Sequence, residues 1–175
     1  MTLNIDSLFR NADPIVSEIL NNALSEKEIS SKDGLALYKT KGIDFHLVGL
    51  VADELRKKIH NSLKPQLEKW SNTELIPTFV YGIRVYKKGS VLVSHRDRFK
   101  THIISAIINV DQEVDKEWPL MIEDNYYRKH QVFLNPGEIV FYESGRLIHG
   151  RPLPLQGNKF ANIFCHFMPV NMEKD

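Results

Sequence analysis

Apolar side chains recur every three or four residues through the first third of the chain, which is the period of an amphipathic α-helix. The repeat begins after Asp13-Pro14, a pair typical of a helix N-terminus, and runs to Leu24. Capping-box spacing then predicts a short second helix over residues 25–30, and Asp33 predicts the start of a third. The first part of the chain is therefore expected to form short amphipathic helices.

The next apolar stripe predicts a longer helix from Phe45 to Ser62. Pro65 predicts the start of a separate turn that reaches Trp70. Together these elements define a predicted helical N-terminal segment over residues 1–75.

The hydrophobic pattern changes from Thr78 onward, where β-branched and aromatic residues dominate and turn signals recur, one of them at residues 111–116. The predicted strands cover residues 79–87, 91–96, 101–110, 119–123, 130–135, 138–143, 146–150 and 159–168. Eight short strands with no helical period among them predict a sandwich or barrel such as a jelly roll. The predicted fold class is therefore α+β, with a helical N-terminal layer packed on a β-sandwich that covers residues 76–175.

Composition and charge narrow the function classes only slightly. The chain has 175 residues, enough for a core without disulfides, and its net charge of +1 indicates neither a nucleic-acid partner nor a membrane surface. Cys165 is the single cysteine, which excludes an intrachain disulfide and any multi-cysteine zinc or iron–sulfur site. No apolar run has the length of a signal peptide or a membrane span, so we expect a soluble, cytoplasmic protein.

The candidate chemistry lies at the end of the strand predicted over residues 91–96. His95 and Asp97 are two residues apart, so alternation along a strand places both on one face, where a single cation could contact both. A His-x-Asp pair alone occurs by chance in a chain of this size and carries little weight. A third ligand has to come from elsewhere, and His149 on a later predicted strand is the best candidate.

Two imidazoles and one carboxylate on one face of a metal leave its other positions open, as in the facial triad of non-haem Fe(II) oxygenases. Zn²⁺ accepts the same ligands, so the three residues alone do not identify the metal. A nearby cation that binds a chelating dicarboxylate would favour iron. Lys159 and Arg151 are the candidate cations, and Tyr86 is a candidate phenolic donor to the same carboxylate.

The region from Tyr81 to Pro169 resembles the Fe(II)/2-oxoglutarate-dependent dioxygenases, particularly their prolyl 4-hydroxylase-like branch. The matching segments, in chain order, are YxxGSxLxxHRD, HIISAIINVDQ, LNPGEIVFYESGRLIHGRP and GNKFANIFCHF. The ordered set covers about half of the chain and is far more specific than any single segment.

The resemblance implies a double-stranded β-helix fold with Fe(II) held by the catalytic residues His95, Asp97 and His149. It also implies 2-oxoglutarate as cosubstrate, with Lys159 on its far carboxylate and Tyr86 as a second contact. Arg151 stays open as the alternative anchor. The implied reaction couples oxidative decarboxylation of 2-oxoglutarate to hydroxylation of a C–H bond by dioxygen, and ascorbate is a candidate additional cofactor. The substrate is an unidentified peptide or small molecule, and a prolyl or other peptidyl residue is among the candidates.

One segment departs from that family. Collagen-type prolyl hydroxylases usually carry a Gly-Gly-Glu-like turn before the second half of the barrel, whereas this chain has EWPLMIEDNYYRKH there. We expect a difference in substrate to be expressed in this loop.

A second resemblance concerns residues 12–58, which are similar to the helical N-terminal region of radical SAM enzymes of the deazaflavin-cofactor pathway. Those enzymes need a three-cysteine iron–sulfur motif, and this chain has only Cys165. Radical SAM chemistry is therefore excluded.

Two other function classes stay open. The segment PGEIVFYESGRLIHG also suits a second cupin motif, which would indicate a β-barrel that binds a metal or small ligand without oxygenase activity. Cupins commonly use a His-x-His pair with a downstream Glu, whereas the second position here is Asp97. The third class is a jelly-roll interaction module without a metal. Metal content separates this module from the other two classes, and 2-oxoglutarate turnover separates those two from each other.

Overall fold

The computed structural model describes residues 5–172, which contain four α-helices, eight β-strands and one 3-10 turn. The first four and the last three residues lie outside this description. The helices are α1 (Ile5–Asn11), α2 (Pro14–Leu24), α3 (Ser31–Tyr38) and α4 (Gly42–Ser71). The strands are β1 (Leu75–Lys87), β2 (Leu92–His95), β3 (Ile104–Val114), β4 (Leu120–Glu123), β5 (Lys129–Val132), β6 (Ile139–Tyr142), β7 (His149–Arg151) and β8 (Gly157–Pro169), and the 3-10 turn is Val170–Met172.

Helix α2 begins at Asp13-Pro14, as the sequence predicts. The Asp13 carboxylate accepts hydrogen bonds from the backbone N–H groups of Ile15 and Val16, which satisfies two donors that a helix start leaves free. The apolar faces of α1, α2 and α4 then pack together. The core of this helical unit consists of Leu8, Val16, Leu20, Leu47 and Val51.

The short helix predicted over residues 25–30 is wrong. Ser25 is the C-cap of α2, and Glu26 has a φ of +60°, a left-handed conformation that ends a helix. The capping box forms further along, between Ser30 as the N-cap of α3 and Asp33 at the third helical position. Asp33 thus helps to start a helix, but it is not the cap residue.

Helix α4 runs through Pro65, where the sequence predicts a separate turn. Proline inside a helix costs about 3 kcal/mol, because it removes a hydrogen bond and crowds the preceding turn. Leu63 and Leu67 on either side of it are buried, and each such burial is worth about 1.5–3 kcal/mol. Packing therefore offsets the cost of the proline, and one long helix results.

The eight strands form two four-stranded antiparallel sheets, with the strand orders β1-β8-β3-β6 and β2-β7-β4-β5. The first strand pairs with the last, the second with the seventh, the third with the sixth and the fourth with the fifth. This nesting results when one long antiparallel hairpin is wound into two facing sheets, which is the jelly roll or double-stranded β-helix. The α+β jelly-roll fold class predicted from the sequence is confirmed.

Strand β3 continues to Val114, through part of the segment predicted as a turn over residues 111–116. Its polar end pairs with β8, where Asp111 lies opposite Ala161 after a register shift. Pairing with a long neighbouring strand therefore outweighs the local turn propensity.

Alternate side chains of β8 point between the two sheets. These inward residues are Phe160, Asn162, Phe164 and His166. Their partners on β1 are Tyr86, Arg84, Tyr81 and Phe79, in the same order. The two strands thus form one wall of the space between the sheets.

Residues up to Ile59 form one compact unit, and residues from His60 onward form a second. Helix α4 contributes to both units, whereas all eight strands belong to the second. The sequence places the division between residues 75 and 76, and that boundary stays a prediction. Within residues 5–172, no helix combines the length and apolar content that spanning a membrane requires.

Candidate metal centre

His95, Asp97 and His149 come together in a cavity between the two sheets. One candidate ligand atom from each residue lies within 4.8 Å of the other two. Asp97 Oδ1 is 3.3 Å from His95 Nε2 and 3.9 Å from His149 Nε2. The His149 side chain is 3% exposed and that of His95 is 39% exposed, so the group is closed on one side and open on the other. Two imidazoles and a carboxylate in this arrangement can hold a metal ion.

Both imidazoles are held in the tautomer that suits a metal ligand. His95 Nδ1 lies 2.7 Å from the carbonyl oxygen of Val93, and His149 Nδ1 lies 3.0 Å from that of Leu147. A carbonyl oxygen can only accept, so each Nδ1 carries the proton and donates it. Each Nε2 is then the nitrogen left to ligate a metal, and both Nε2 atoms face the same Asp97 oxygen. A shared cation makes such a contact favourable.

Burial keeps the inner part of the site uncharged. It lowers the pKa of His149 below the ordinary value of 6.5, so this imidazole is neutral at pH 7. The ring of Tyr142 packs edge-on against His149, with centroids 4.8 Å apart. Burial raises the pKa of the Tyr142 hydroxyl well above 10.0, so it remains a neutral phenol. His149 is therefore in the neutral form that can ligate a metal.

Backbone contacts fix the loop that carries Asp97. Strand β2 ends at His95, and the Asp97 N–H donates to the Ser144 carbonyl oxygen at 2.9 Å. Arg96 points elsewhere, and its Nε donates to the Arg146 carbonyl oxygen at 2.7 Å. The segment between β6 and β7 therefore holds the carboxylate in place.

The pairing of β2 with β7 places His95 opposite His149. Gly150 makes this pairing possible, because an added Cβ would lie 2.8 Å from the Leu92 carbonyl oxygen and from Ser94 Cα. Only a residue without a side chain allows the two strands to approach this closely.

A buried chain of hydrogen bonds runs behind Asp97. Ser144 Oγ donates its hydrogen to the His102 carbonyl oxygen at 2.8 Å, so it accepts from Ser105 Oγ at 2.6 Å. Ser105 Oγ in turn accepts from His166 Nδ1 at 2.7 Å. Burial, with His102 as a second cause, lowers the pKa of His166, which is therefore neutral. His166 Nδ1 is 3.8 Å from Asp97 Oδ2, so it backs the carboxylate without neutralising it.

Tyr86 and Arg151 share an aromatic cluster beside the cavity. Tyr86 lines the cavity, and its ring packs edge-on against Trp118 with centroids 5.1 Å apart. The Arg151 guanidinium lies 4.9 Å from the Trp118 ring and 4.5 Å from the Phe160 ring, and its Nη1 donates to the Trp118 carbonyl oxygen. Tyr86 Oη and Arg151 Nη2 are buried without a hydrogen-bond partner among residues 5–172. Two buried donors left free in this way suit a polar ligand group.

The Arg151 guanidinium is also a buried charge. Burial lowers its pKa from 12.5 to about 10, so it stays protonated at pH 7. Its electrostatic neighbours are Tyr86 and Tyr142, both of which line the cavity of the three candidate ligands. No carboxylate in the described part of the chain forms an ion pair with it. A buried cation of this kind favours an anionic ligand.

Lys159 does not reach the cavity. It lies on the face of β8 opposite to Phe164 and His166, is partly exposed, and forms an ion pair with Asp111. The hydrogen bond to Asp111 raises the pKa of Lys159. Of the three candidate cosubstrate residues, the structure therefore brings Tyr86 and Arg151 together beside the cavity and leaves Lys159 at the surface of the sheet.

Sequence reasoning misses Arg84, a cation that lines the cavity. Simple alternation puts Arg84 and Tyr81 on opposite faces, because they are three residues apart. The structure contains a β-bulge between them, so both face the cavity. Gly82 lies in this bulge, and an added Cβ would be 3.0 Å from Ile163 Cγ1. An isolated glycine inside a strand-like run is the signal that indicates such a bulge.

No protein-family model matches this sequence, and no curated protein matches it. Solved structures do match. An oxidoreductase of the 2OG-Fe(II) oxygenase family from Burkholderia pseudomallei aligns with 72% of this chain at 12% identity and a TM-score of 0.46, and 58% of its own length is covered. A Pseudomonas putida prolyl-4-hydroxylase aligns with 75% of this chain at 22% identity and a TM-score of 0.45, with 68% of its length covered.

A cupin domain from Bordetella pertussis aligns with 54% of this chain at 14% identity and a TM-score of 0.32, with 93% of its length covered. The chain thus spans 58% of the length of the first of these structures. The resemblance of residues 12–58 to radical SAM enzymes gains no support from these three structures.

Proposed function

We propose that this protein is an Fe(II)- and 2-oxoglutarate-dependent dioxygenase that hydroxylates an unidentified substrate. The observation that carries the proposal is the pair of imidazoles whose Nε2 atoms face one carboxylate oxygen, all three within 4.8 Å. His95, Asp97 and His149 would hold the metal. Two imidazoles and one carboxylate leave positions open for a chelating cosubstrate and for dioxygen.

We assign the far carboxylate of 2-oxoglutarate to Arg151 and Tyr86. Both side chains have a buried donor with no partner among residues 5–172. A carboxylate would satisfy both donors through charge-assisted hydrogen bonds and would balance the buried guanidinium. Lys159 already has a carboxylate partner in Asp111, which makes it the weaker candidate.

When bound, Fe(II) and 2-oxoglutarate would activate dioxygen, one of whose oxygen atoms enters succinate as CO2 is lost while the other is inserted into a substrate C–H bond. The residues of the chain hold the metal, orient the ligand atoms and shield the site from water. The carbonyl oxygens of Val93 and Leu147 keep both Nε2 atoms aimed at the metal position. The buried ring of Tyr142 excludes water from the inner side of His149. The proposal that the substrate is a prolyl or other peptidyl residue rests on the sequence resemblance alone.

Formation of succinate from 2-oxoglutarate tests the proposal. Purified protein supplied with Fe(II), 2-oxoglutarate and dioxygen should form succinate, and His95→Ala should abolish this by removing one of three metal ligands. The matched control is His46→Ala, because His46 is an exposed histidine of α4 in the first compact unit. Folded, Fe(II)-loaded protein that forms no succinate would contradict the proposal.

Metal binding, measured together with succinate formation, separates the other function classes. Tight metal binding without any 2-oxoglutarate turnover would favour a cupin-like metal-binding barrel. Absence of metal binding, measured by elemental analysis of protein reconstituted with Fe(II) or Zn²⁺, would favour an interaction module.

A further inference from the structure

We propose that the open side of the metal cavity binds an anionic substrate that carries a planar ring. The ring of Tyr81, which packs against Phe79, would stack on the ligand ring, and Arg84 would bind the anion. This inference rests on the proposed function, because it assigns the substrate side of the same site.

The β-bulge in β1 is the first observation. It adds one residue between Tyr81 and Arg84 relative to β8, and it thereby turns both side chains into the cavity that holds His95, Asp97 and His149. Bulges beside active sites commonly re-aim a side chain in this way. An aromatic ring and a guanidinium are therefore presented together to the space in front of the metal ligands.

The aromatic surface is the second observation. The rings of Phe79 and Tyr81 are parallel to within 2°, with centroids 5.7 Å apart. His102 stacks on both, at 5.3 and 5.8 Å, and His166 packs edge-on against Tyr81 at 5.5 Å. His102 is 8% exposed, whereas Phe79 is 39% and Tyr81 is 43% exposed. The Tyr81 ring is thus held by Phe79, His102 and His166 and stays partly exposed, which lowers the ordering cost of stacking a planar ligand on it.

The charge of Arg84 is the third observation. Its side chain is exposed, and the guanidinium lies 5.5 Å from the centroid of Phe164. It forms no ion pair with any carboxylate in residues 5–172. Asp97 is the single carboxylate among the described residues that line the cavity, and it faces the two imidazoles. The formal charges of a divalent ion, Asp97, Arg151 and the 2-oxoglutarate dianion cancel, so the Arg84 guanidinium remains to attract an anion to the open side.

The two cations beside the cavity have separate places. Arg151 is buried in the cluster with Trp118 and Phe160, where one carboxylate group of a small dicarboxylate is a suitable partner. Arg84 lies at the exposed side with Tyr81. The buried guanidinium therefore suits the cosubstrate, and the exposed one suits the substrate.

Naphthalene-2-carboxylate is a suitable probe, titrated anaerobically into the full chain loaded with Mn(II) and saturating 2-oxoglutarate. The bound cosubstrate prevents the probe from occupying its position, and calorimetry gives the affinity. The uncharged 2-naphthamide and the saturated decahydronaphthalene-2-carboxylate should each bind about tenfold more weakly, because one loses the charge and the other loses the planar ring. An equal affinity for the carboxylate and the amide would overturn the proposal.

Variants test the residues. Arg84→Gln should lower probe affinity about tenfold, and Tyr81→Leu about fivefold, with 2-oxoglutarate affinity unchanged in both. Lys88→Gln and Tyr38→Leu are the matched controls, because they remove an exposed charge and an exposed ring outside the cavity. Wild-type probe affinity in Arg84→Gln overturns the inference, and so does a loss of 2-oxoglutarate affinity in that variant, which would make Arg84 the cosubstrate anchor.

The outcomes separate this inference from the proposed function. If the protein forms succinate but binds the probe independently of Arg84, the oxygenase function is supported and the substrate site is refuted. If the protein forms no succinate but binds the probe through Arg84 and Tyr81, the ligand site is supported and the oxygenase function is refuted.

Discussion

A backbone carbonyl oxygen two residues earlier sets the tautomer of each histidine among the candidate metal ligands. Val93 does this for His95, and Leu147 does it for His149. The sequence indicates the residue types and the two-residue spacing of the first pair, because both are local properties. It does not indicate which ring nitrogen is free, since that depends on the backbone conformation at each strand end.

For the candidate cations, the face of the strand on which each residue lies decides its position relative to the cavity. The resemblance implies Lys159 as the anchor, whereas alternation places Lys159 on the face of β8 shared with Ala161 and Ile163, which is turned away from the cavity. The relation between Arg84 and Tyr81 depends on a bulge that shifts the alternation. Composition does not indicate this bulge, although an isolated glycine in a strand, here Gly82, is a signal for one.

Tyr86→Phe should weaken 2-oxoglutarate binding about tenfold and leave Fe(II) affinity within about twofold, because it removes one donor and keeps the ring against Trp118. Arg151→Gln should weaken 2-oxoglutarate binding further. Because Arg151 is buried, circular dichroism should check that this variant is folded. Anaerobic calorimetry measures both affinities. A larger loss of 2-oxoglutarate affinity in Lys159→Ala than in Tyr86→Phe would place the anchor at Lys159.

At the scale of elements, the approach of β2 to β7 determines whether the two histidines meet. Gly150→Ala should lower the free energy of unfolding by about 1–3 kcal/mol, because the new Cβ has only backbone atoms to displace at 2.8 Å. The same strain should lower metal affinity at least about tenfold by moving His149 relative to His95. Urea unfolding and metal titration measure these effects.

Gly49→Ala is the control for that substitution. Gly49 lies in α4 with no heavy atom within 4 Å of an added Cβ, so alanine should raise the free energy of unfolding by about 0.5–1 kcal/mol. Equal effects of the two substitutions would contradict the role given to Gly150.

The turn between β4 and β5 is organised by the Asp124 carboxylate. Hydrogen bonds from His130, and further ones from Arg128 and the backbone N–H of Tyr126, hold the pKa of Asp124 well below its ordinary value of 3.8. Because the pKa is lower in the folded state, the stabilisation is complete above pH 3.8 and is lost as the pH falls towards the lowered value.

Asp124→Asn should therefore lower the Tm at pH 7 by about 2–4 °C, and the difference from wild type should shrink as the pH falls from about 4 to about 2. Calorimetric scans across this range check the trend. A difference in Tm that does not change with pH would show that the carboxylate charge is not what stabilises the turn.

The sequence predicts which elements exist better than where they end. The change of hydrophobic period separates the helices from the strands, and the Asp13-Pro14 start of α2 has a local cause. The helix predicted over residues 25–30 does not form because Glu26 has a left-handed conformation. Strand β3 extends beyond its predicted end because it pairs with β8. Burial of Leu63 and Leu67 likewise carries α4 through Pro65. These are non-local or conformational effects that periodicity does not contain.

For the whole molecule, the jelly-roll order of the strands brings residues from distant segments to one cavity. Nested antiparallel pairing places β2 beside β7 and β1 beside β8. The candidate ligands therefore lie close together although they are far apart in the sequence. The number of short strands predicts this class of fold. Every residue that lines the cavity lies in the second compact unit, from His60 onward.

Anaerobic titration of the Fe(II)-loaded protein with 2-oxoglutarate, followed by visible absorption, tests the central claim most directly. Chelation of the cosubstrate by iron held by His95, Asp97 and His149 should give a weak charge-transfer band. The band should be absent in His95→Ala and retained in His46→Ala. Folded wild-type protein that binds Fe(II) but shows no band at saturating 2-oxoglutarate would contradict the account.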